Sequence, residues 1–454
     1  MKVDVVSREC VKPLSPTPSH LKRFGLSLLD QLQPQWLYGT IVLFYAPTPS
    51  RSVDEKLGIL QKSLSEALVL FYPFAGRVVD AITIECNDEG AFLVTGYADV
   101  FLHDGFLRSP DADSLNMLIP MIDPTTADLA RTCLLIVQAT VFRCGGMAIA
   151  ICTSHKLVDG SSACAFVKTW SALALASANC DLIGQSDKII PQFLGGSLIP
   201  PKIDMPTNFM VRTTINPRGE KCITKRFVFD GSRIASLKEK FLPRIVSKVE
   251  VVQALILKSA ILVVSRSEPE YPQRPRTSVV SQTINLRKRM EPPLGEDTIG
   301  NHFWMDTVCL GEGGFELAEL VEKIREGNQR FYKETAGQIK GEEAFSVIRG
   351  LLREREETLR RNEEVGRAVD VYRFTSLSKF PFYGIDFGWG RAEWVTSPSN
   401  FEKLFVLVDA RGGEGVEAWM TLKEREMAML EKEEEFLAYA KLNPDLTSGR
   451  HSRM

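Results

Sequence analysis

The chemistry in this sequence is best sought at Ser154-His155-Lys156-Leu157-Val158-Asp159-Gly160, where a histidine and an aspartate stand four apart. An imidazole, with an unperturbed pKa of about 6.5, is the side chain best suited to taking and returning a proton near neutrality. The preceding run from Met147 to Cys152 is continuously apolar, as in a strand buried on both faces. After it, Ala163, Phe166, Val167 and Trp170 recur at helical spacing. His155 is therefore expected where a buried strand gives way to a loop or helix start, a place that holds a side chain rigidly and leaves one edge open. The plainer reading is a half-buried histidine bonded to a backbone carbonyl, with Asp159 in a turn before Gly160. A metal centre is not expected, because none of the five histidines forms a ligand pair and no third ligand lies near His155.

A second candidate is Asp386-Phe387-Gly388-Trp389-Gly390-Arg391, where two glycines around a tryptophan specify a loop with unusual backbone angles. It begins with a triplet found in kinases, yet no glycine-rich phosphate loop, Val-Ala-Ile-Lys or His-Arg-Asp accompanies it. Walker loops and Gly-x-Ser-x-Gly elbows are also absent, which excludes nucleotide hydrolases and ordinary serine hydrolases. With 454 residues, 44% hydrophobic and 25% charged, the chain is long enough for one or two large domains, or three. A net charge of -2 argues against a nucleic-acid or membrane partner. Nine scattered cysteines without a Cys-x-x-Cys pair suggest neither zinc nor a disulfide framework. The charge-broken N-terminus reads as no signal peptide, and no window resembles a membrane span, so the reducing cytosol is the expected compartment.

These candidates need a scaffold, and the sequence supplies one. Trp36 to Tyr45 reads as a strand; Ser52 and Glu55 form a capping box ahead of Leu57, Leu60, Leu64, Leu68 and Phe71, an amphipathic helix. Strands are expected over 78–85, 91–97 and 133–142 and in the run into His155, the last two joined as a hairpin at Cys144-Gly145-Gly146. A Gly-, Pro-, Ser- and Asn-rich crossover spans about 179–220. Beyond it, helices are expected over 232–241 and 249–264, a strand over 277–284 and two charged helices bearing Leu317 to Phe331 and Phe345 to Leu359. Short strands near 393–395, 404–409 and 416–422 and one charged helix over 422–440 close the chain. Strands and helices mixed in this way argue for α/β layers.

The sequence resembles the plant CoA-dependent acyltransferases called BAHD enzymes. His155-Lys-Leu-Val-Asp159-Gly160 matches the family's His-x-x-x-Asp-Gly, and Asp386 to Gly390 its Asp-Phe-Gly-Trp-Gly loop. Leu26 to Asp30, Phe71 to Arg77, Ile84 to Gly90, Asn285 to Arg289, Gly300-Asn301 and Val416 to Trp419 are similar to further family blocks in family order. Gln192-Phe193, Ile199 to Asp204 and Phe380 to Tyr383 look most like the branch containing vinorine synthase and other alkaloid and terpenoid acetyltransferases.

This resemblance implies an α/β fold of two similar-sized domains, each a mixed β-sheet with flanking helices (chloramphenicol acetyltransferase-like), with a channel between them. The expected division is 1–180, a crossover at 181–222, and 223–454 carrying the Asp386 loop. It also implies a monomer that moves an acyl group, acetyl from acetyl-CoA, to a hydroxyl of a specialised metabolite, with acyl-CoA as co-substrate and no bound cofactor. Aromatic donors, amine acceptors and a catalytically silent scaffold are the alternatives. His155 becomes the general base, and Asp159 a structural residue paired with an arginine of the Asn285–Arg289 block, Arg287. Trp389 or a nearby backbone N–H is the candidate oxyanion donor, while Asp386, Gly388 and Gly390 shape their loop. Thr375 and Ser376 are polar candidates near the substrates. Leu377 stands where many relatives carry tryptophan, which alters the pocket wall. Lys258, Arg287 and Arg391 are candidate partners for the CoA phosphates.

Overall fold

A computed structural model describes residues 1–120, 133–178, 189–203, 221–267, 276–312 and 315–447. Most of the expected crossover, together with Cys180, lies outside the described residues. The first half contributes strands β1 (Val3–Val11), β2 (Arg23–Gly25), β3 (Tyr38–Tyr45), β4 (Arg77–Val78), β5 (Thr83–Glu85), β6 (Ala91–Ala98), β7 (Leu135–Phe142) and β8 (Met147–Ser154). Its helices are α1 (Leu28–Gln31), α2 (Val53–Leu70), α3 (Ala112–Met117) and α4 (Gly160–Ala178). The second half supplies β9 (Cys222–Phe229), β10 (Arg276–Asn285), β11 (Phe303–Gly311), β12 (Ala368–Ser376), β13 (Trp394–Thr396), β14 (Leu404–Asp409), β15 (Val416–Lys423) and β16 (Lys441–Leu442). Helices α5 (Gly195–Leu198), α6 (Gly231–Glu239), α7 (Lys248–Ser267), α8 (Leu317–Glu334), α9 (Ala344–Glu364), α10 (Glu424–Leu430) and α11 (Glu434–Tyr439) complete it.

Two mixed sheets organise these elements, in the orders β1-β6-β7-β8-β3-β13 and β11-β10-β12-β14-β15-β9-β16, beside a small β2-β5-β4 sheet. In the first, β7 and β8 are buried at every position, as their apolar runs require. The Ser52–Glu55 capping box starts α2, whose Leu60, Leu64, Ala67 and Leu68 are buried against α4. Each such leucine contributes roughly 1.5–3 kcal/mol by leaving water, and the cap about 1 kcal/mol.

Three differences from the sequence reading bear on function. The division at residue 222 is crossed by β13, which pairs with β3 (Trp394 opposite Phe44, Thr396 opposite Val42) and so belongs to the first sheet. β13 also ties the two halves together, because Trp394 Nε1 donates to the Glu417 carboxylate of β15 (3.1 Å) and Trp419 Nε1 donates to Thr396 Oγ1 (2.6 Å). The helix expected over 422–440 is two helices, with Glu433 accepting from Phe436 N (2.6 Å) as a fresh N-cap for α11. Strands β1, β11 and β12 were not foreseen. β1 and β11 are edge strands with largely uncovered or half-buried side chains, so neither shows a clean alternation.

Two apolar clusters close the gap between the sheets. One brings Val42, Phe44 and Trp394 against Val406, Val408 and Trp419; the other packs Leu28, Leu29 and Leu32 on Ile284, Leu286, Ile339 and Ile348. A cavity lined by residues of both halves includes His155. Among the described residues, no helix is long and apolar enough to cross a membrane.

Candidate active site

His155 follows the last residue of β8. Its backbone is held from two directions, with His155 N donating to the Leu37 carbonyl (2.9 Å) and Asn301 Nδ2 donating to the His155 carbonyl (2.7 Å). Asn301 is itself fixed by Asp30, whose Oδ1 accepts from Asn301 N (2.8 Å) and Nδ2 (2.7 Å). Asp30 sits in a capping box with Ser27, and burial raises its pKa despite these hydrogen bonds. Below it, the buried Lys156 ammonium donates to the Gln31 and Gln33 carbonyls, and burial lowers its pKa to about 8.

The imidazole points its Nε2 toward β3 at Gly39. A Cβ placed on Gly39 would lie 3.3 Å from that nitrogen, so the missing side chain leaves Nε2 open to a cavity. The cavity is about 270 Å³ and mostly apolar; Tyr38, Thr40 and Ser161 line it from the first half and Thr283, Phe303 and Thr375 from the second. The Phe303 ring stands edge-on to His155 at 6.2 Å between centroids. Burial lowers the His155 pKa, against the Asp159 charge and the polar contacts of Asn301 and the Val158 backbone. The imidazole is thus a neutral base at ordinary pH.

Asp159 does not complete a relay with His155. Both its oxygens take the Arg287 guanidinium (2.7 and 3.1 Å), and they also accept from Ser162 N (2.9 Å) and His302 N (3.0 Å). These partners outweigh burial and hold the carboxyl down at about 2. Arg287 spends its remaining donors on Ser162 Oγ and the Thr298 and Gly300 carbonyls. The pair therefore pins the start of α4 to the 298–302 segment of the second half.

The family model described as the Transferase family matches residues 1–437. The chain belongs to this family. As a BAHD acyltransferase it is 35% identical to a limonoid 21-O-acetyltransferase of Melia azedarach, covering 98% of this chain and 100% of that one. It is 32% identical to salutaridinol 7-O-acetyltransferase of Papaver somniferum over 94% of this chain and 96% of the relative. Among solved structures, vinorine synthase superposes with a TM-score of 0.81 at 28% identity, over 98% of this chain and all of that one.

In this BAHD acyltransferase the cavity brings together His155, Asp159, Thr375, Ser376 and Leu377, although they come from both halves of the chain. Leu377 lies against Gly160, 3.2 Å from where a Cβ would stand. Trp389 is elsewhere. Its indole packs on Phe387 (5.8 Å) and Tyr45 (6.1 Å) in the core of the first half, and Tyr45 is six residues along β3 from Gly39, roughly 20 Å away at the rise of an extended strand. It therefore cannot donate to an oxyanion at His155, and that expectation is corrected. Asp386 Oδ1 accepts from Gly388 N (2.8 Å) and Gly390 N (3.0 Å), closing a turn in which both glycines have positive φ (+103° and +112°). Arg51 clips this turn to α4 by donating to the Gly388 carbonyl (3.1 Å) and the Ala178 carbonyl (2.6 Å).

The expected phosphate partners are not assembled at the cavity either. Lys258 on α7 is engaged by Glu435 (2.8 Å) and Glu316 (3.7 Å). Arg287 is buried on Asp159, and the exposed Arg391 forms a β-bridge with Asp386. Sequence reasoning missed Gly39, Phe303 and the Asp30–Asn301 support. Gly39 left a local signal, as a glycine inside an expected strand, which marks a close approach; Asp30 and Asn301 lie in blocks similar to the family's, with nothing in the sequence to say that they meet.

Proposed function

We propose that this enzyme moves an acetyl group from acetyl-CoA to a hydroxyl of a plant alkaloid or terpenoid, by direct transfer with His155 as general base. The observation that carries the reading is the His155 Nε2, neutral and opening over Gly39 into a cavity built from both halves. Nε2 takes the proton of the acceptor hydroxyl as its oxygen attacks the thioester carbonyl. Collapse of the tetrahedral adduct breaks the carbon–sulfur bond, and the imidazolium returns the proton to the CoA sulfur. No acyl-enzyme forms. The oxyanion is placed near the first turn of α4, where Gly160 and Ser161 line the cavity at the positive end of a 19-residue helix. Thr375 and Ser376 supply hydroxyls across from it. Named O-acetyltransferases among the relatives support acetyl and a hydroxyl as the groups transferred. The reaction is assigned to a cytosolic monomer using acyl-CoA as co-substrate.

The test is transfer from acetyl-CoA, against malonyl-, benzoyl- and coumaroyl-CoA, into a pool of plant alkaloid and terpenoid alcohols, read by mass. A product heavier by one acetyl group that disappears in His155→Ala, with folding unchanged, is the expected result; the loss should be roughly a hundredfold to ten-thousandfold. Transfer from an aromatic donor alone would overturn the acetyl assignment, and turnover in His155→Ala within a few-fold of the parent would overturn the base.

A further inference from the structure

Among the described residues, the buried guanidiniums rest on carboxylates: Arg226 on Glu417 (2.7 Å), Arg287 on Asp159 (2.7 Å) and Arg77 on Glu89 (3.0 Å), as does the half-buried Arg276 on Asp370 (2.7 Å). Arg373 does not. It lies on β12 two residues before Thr375, on the same face of the strand, and lines the same cavity. Its Nη1 reaches only the Val371 and Glu402 carbonyls, at 3.5 and 3.4 Å, long for hydrogen bonds. Its Nε is buried with no acceptor, and among the described residues no carboxylate lies within ion-pair distance of the guanidinium. The Arg355 charge nearby adds to the positive potential; with burial, which acts more strongly, it pushes the Arg373 pKa down to about 10, which still leaves it charged at neutral pH. Glu402 offsets this in part, but its carboxylate sits 4.0 Å from Lys403.

A guanidinium whose Nε is buried without an acceptor, on the wall of a cavity and with no carboxylate in ion-pair distance, is a place where an anionic ligand gains most by binding. We infer that Arg373 anchors a carboxylate carried by one of the two substrates, its unpartnered Nε and Nη2 forming the edge that takes two oxygens at once. Leu377 touches the start of α4 beside His155, and Arg373 is four residues back along β12, about 13 Å at the strand rise. The carboxylate and the reacting centre therefore share one cavity, at opposite ends of the bound substrate. This inference rests on the acyltransferase reading and adds a substrate class to it.

Two measurements test it. In the first, thermal unfolding of the parent, Arg373→Gln and Arg373→Lys is followed with a medium-chain alkanoic acid and with its methyl ester, and no turnover is needed. The acid should stabilise the parent more than the ester does, and the gap should vanish in Arg373→Gln and shrink in Arg373→Lys. Equal stabilisation by acid and ester, or a gap that survives in Arg373→Gln, overturns the inference. Without ligand, Arg373→Gln should melt no lower than the parent, since it removes an unpaired charge.

The second measurement uses acetyl-CoA with ω-hydroxy acids of increasing length and their methyl esters, and separately one neutral alcohol with malonyl- against acetyl-CoA. If the acceptor carries the carboxylate, Arg373→Gln should raise KM for the hydroxy acid and cut its preference over the ester roughly tenfold to a hundredfold. If the donor carries it, the malonyl-over-acetyl preference should fall instead. Preferences that do not change in either pair overturn the inference. No transfer at all, with an Arg373-dependent acid-over-ester gap in melting, would refute the acyltransferase reading and keep the carboxylate site.

Discussion

The surroundings of His155 and the Asp386–Gly390 turn are the two most chemistry-like stretches of the sequence, and they use the same residue type in opposite ways. At the first, Gly39 leaves out a side chain so that a nitrogen can face empty space. At the second, Gly388 and Gly390 adopt positive φ so that the chain can turn back on itself, and Phe387 and Trp389 fill the core beside Tyr45 and Trp170. A Cβ on Gly388 would stand 2.6 Å from that of Ala178, so the turn is pressed onto α4 at this residue. One site spends packing to create a cavity; the other spends it to remove one. A motif dense in aromatic and glycine residues thus says little about chemistry until the space around it is known.

The comparison can be broken most forcefully at Arg287. Arg287→Met would leave the Asp159 carboxylate buried without its cation, and should cost about 3–5 kcal/mol in denaturant unfolding; a loss below about 1 kcal/mol would mean the pair is not structural. On the other side, Trp389→Ala should cost about 3 kcal/mol of stability by cavity formation. Steady-state turnover per folded molecule should stay within a few-fold of the parent, and a collapse of kcat without a stability loss would return Trp389 to the chemistry.

Acid should loosen the His155 side. His302 is fully buried behind Asp159 and its pKa falls to about 4, chiefly by burial and then by the Arg287 charge. The unfolded chain binds this proton at about 6.5 and the folded chain only near 4, so stability falls with pH across that window by about 3 kcal/mol. Asp159 acts lower down: its contribution, present above the usual carboxyl pKa of 3.8, is lost as pH falls through about 2. His302→Gln should therefore flatten melting temperature against pH between 6.5 and 4; an unchanged slope would assign the acid loss to other groups. The smallest effect is expected at Gly39→Ala, whose methyl would press on Nε2. Here kcat should fall roughly tenfold to a hundredfold while stability changes by less than about 1 kcal/mol, and parental kcat would show that the proton leaves by another face.

Much of this was legible in the sequence where the signal is local. The Ser52–Glu55 box and the leucines at three- and four-residue spacing gave α2, and the glycines after Cys144 gave the β7–β8 hairpin. His155, Asp159 and Thr375 could be singled out because each sits in a short motif. What failed was anything set by distant partners. Asn301 meets Asp30 across 271 residues, Phe303 meets His155 from an edge strand that the pattern did not reveal, and β13 joins a sheet whose other strands all lie in the first half. Trp389 was misplaced for the same reason, since a tryptophan between glycines carries no record of which side of a sheet it will pack against.

The pairing of β13 with β3 also has a consequence for synthesis. The edge of the first sheet at β3 stays uncovered until residues 394–396 emerge, about 240 residues after β8 is complete. At 5–20 residues per second that is a delay of roughly ten to fifty seconds on the ribosome. During that time the β3 edge of the N-terminal half is unpaired, and an unpaired edge is a template for pairing with another chain.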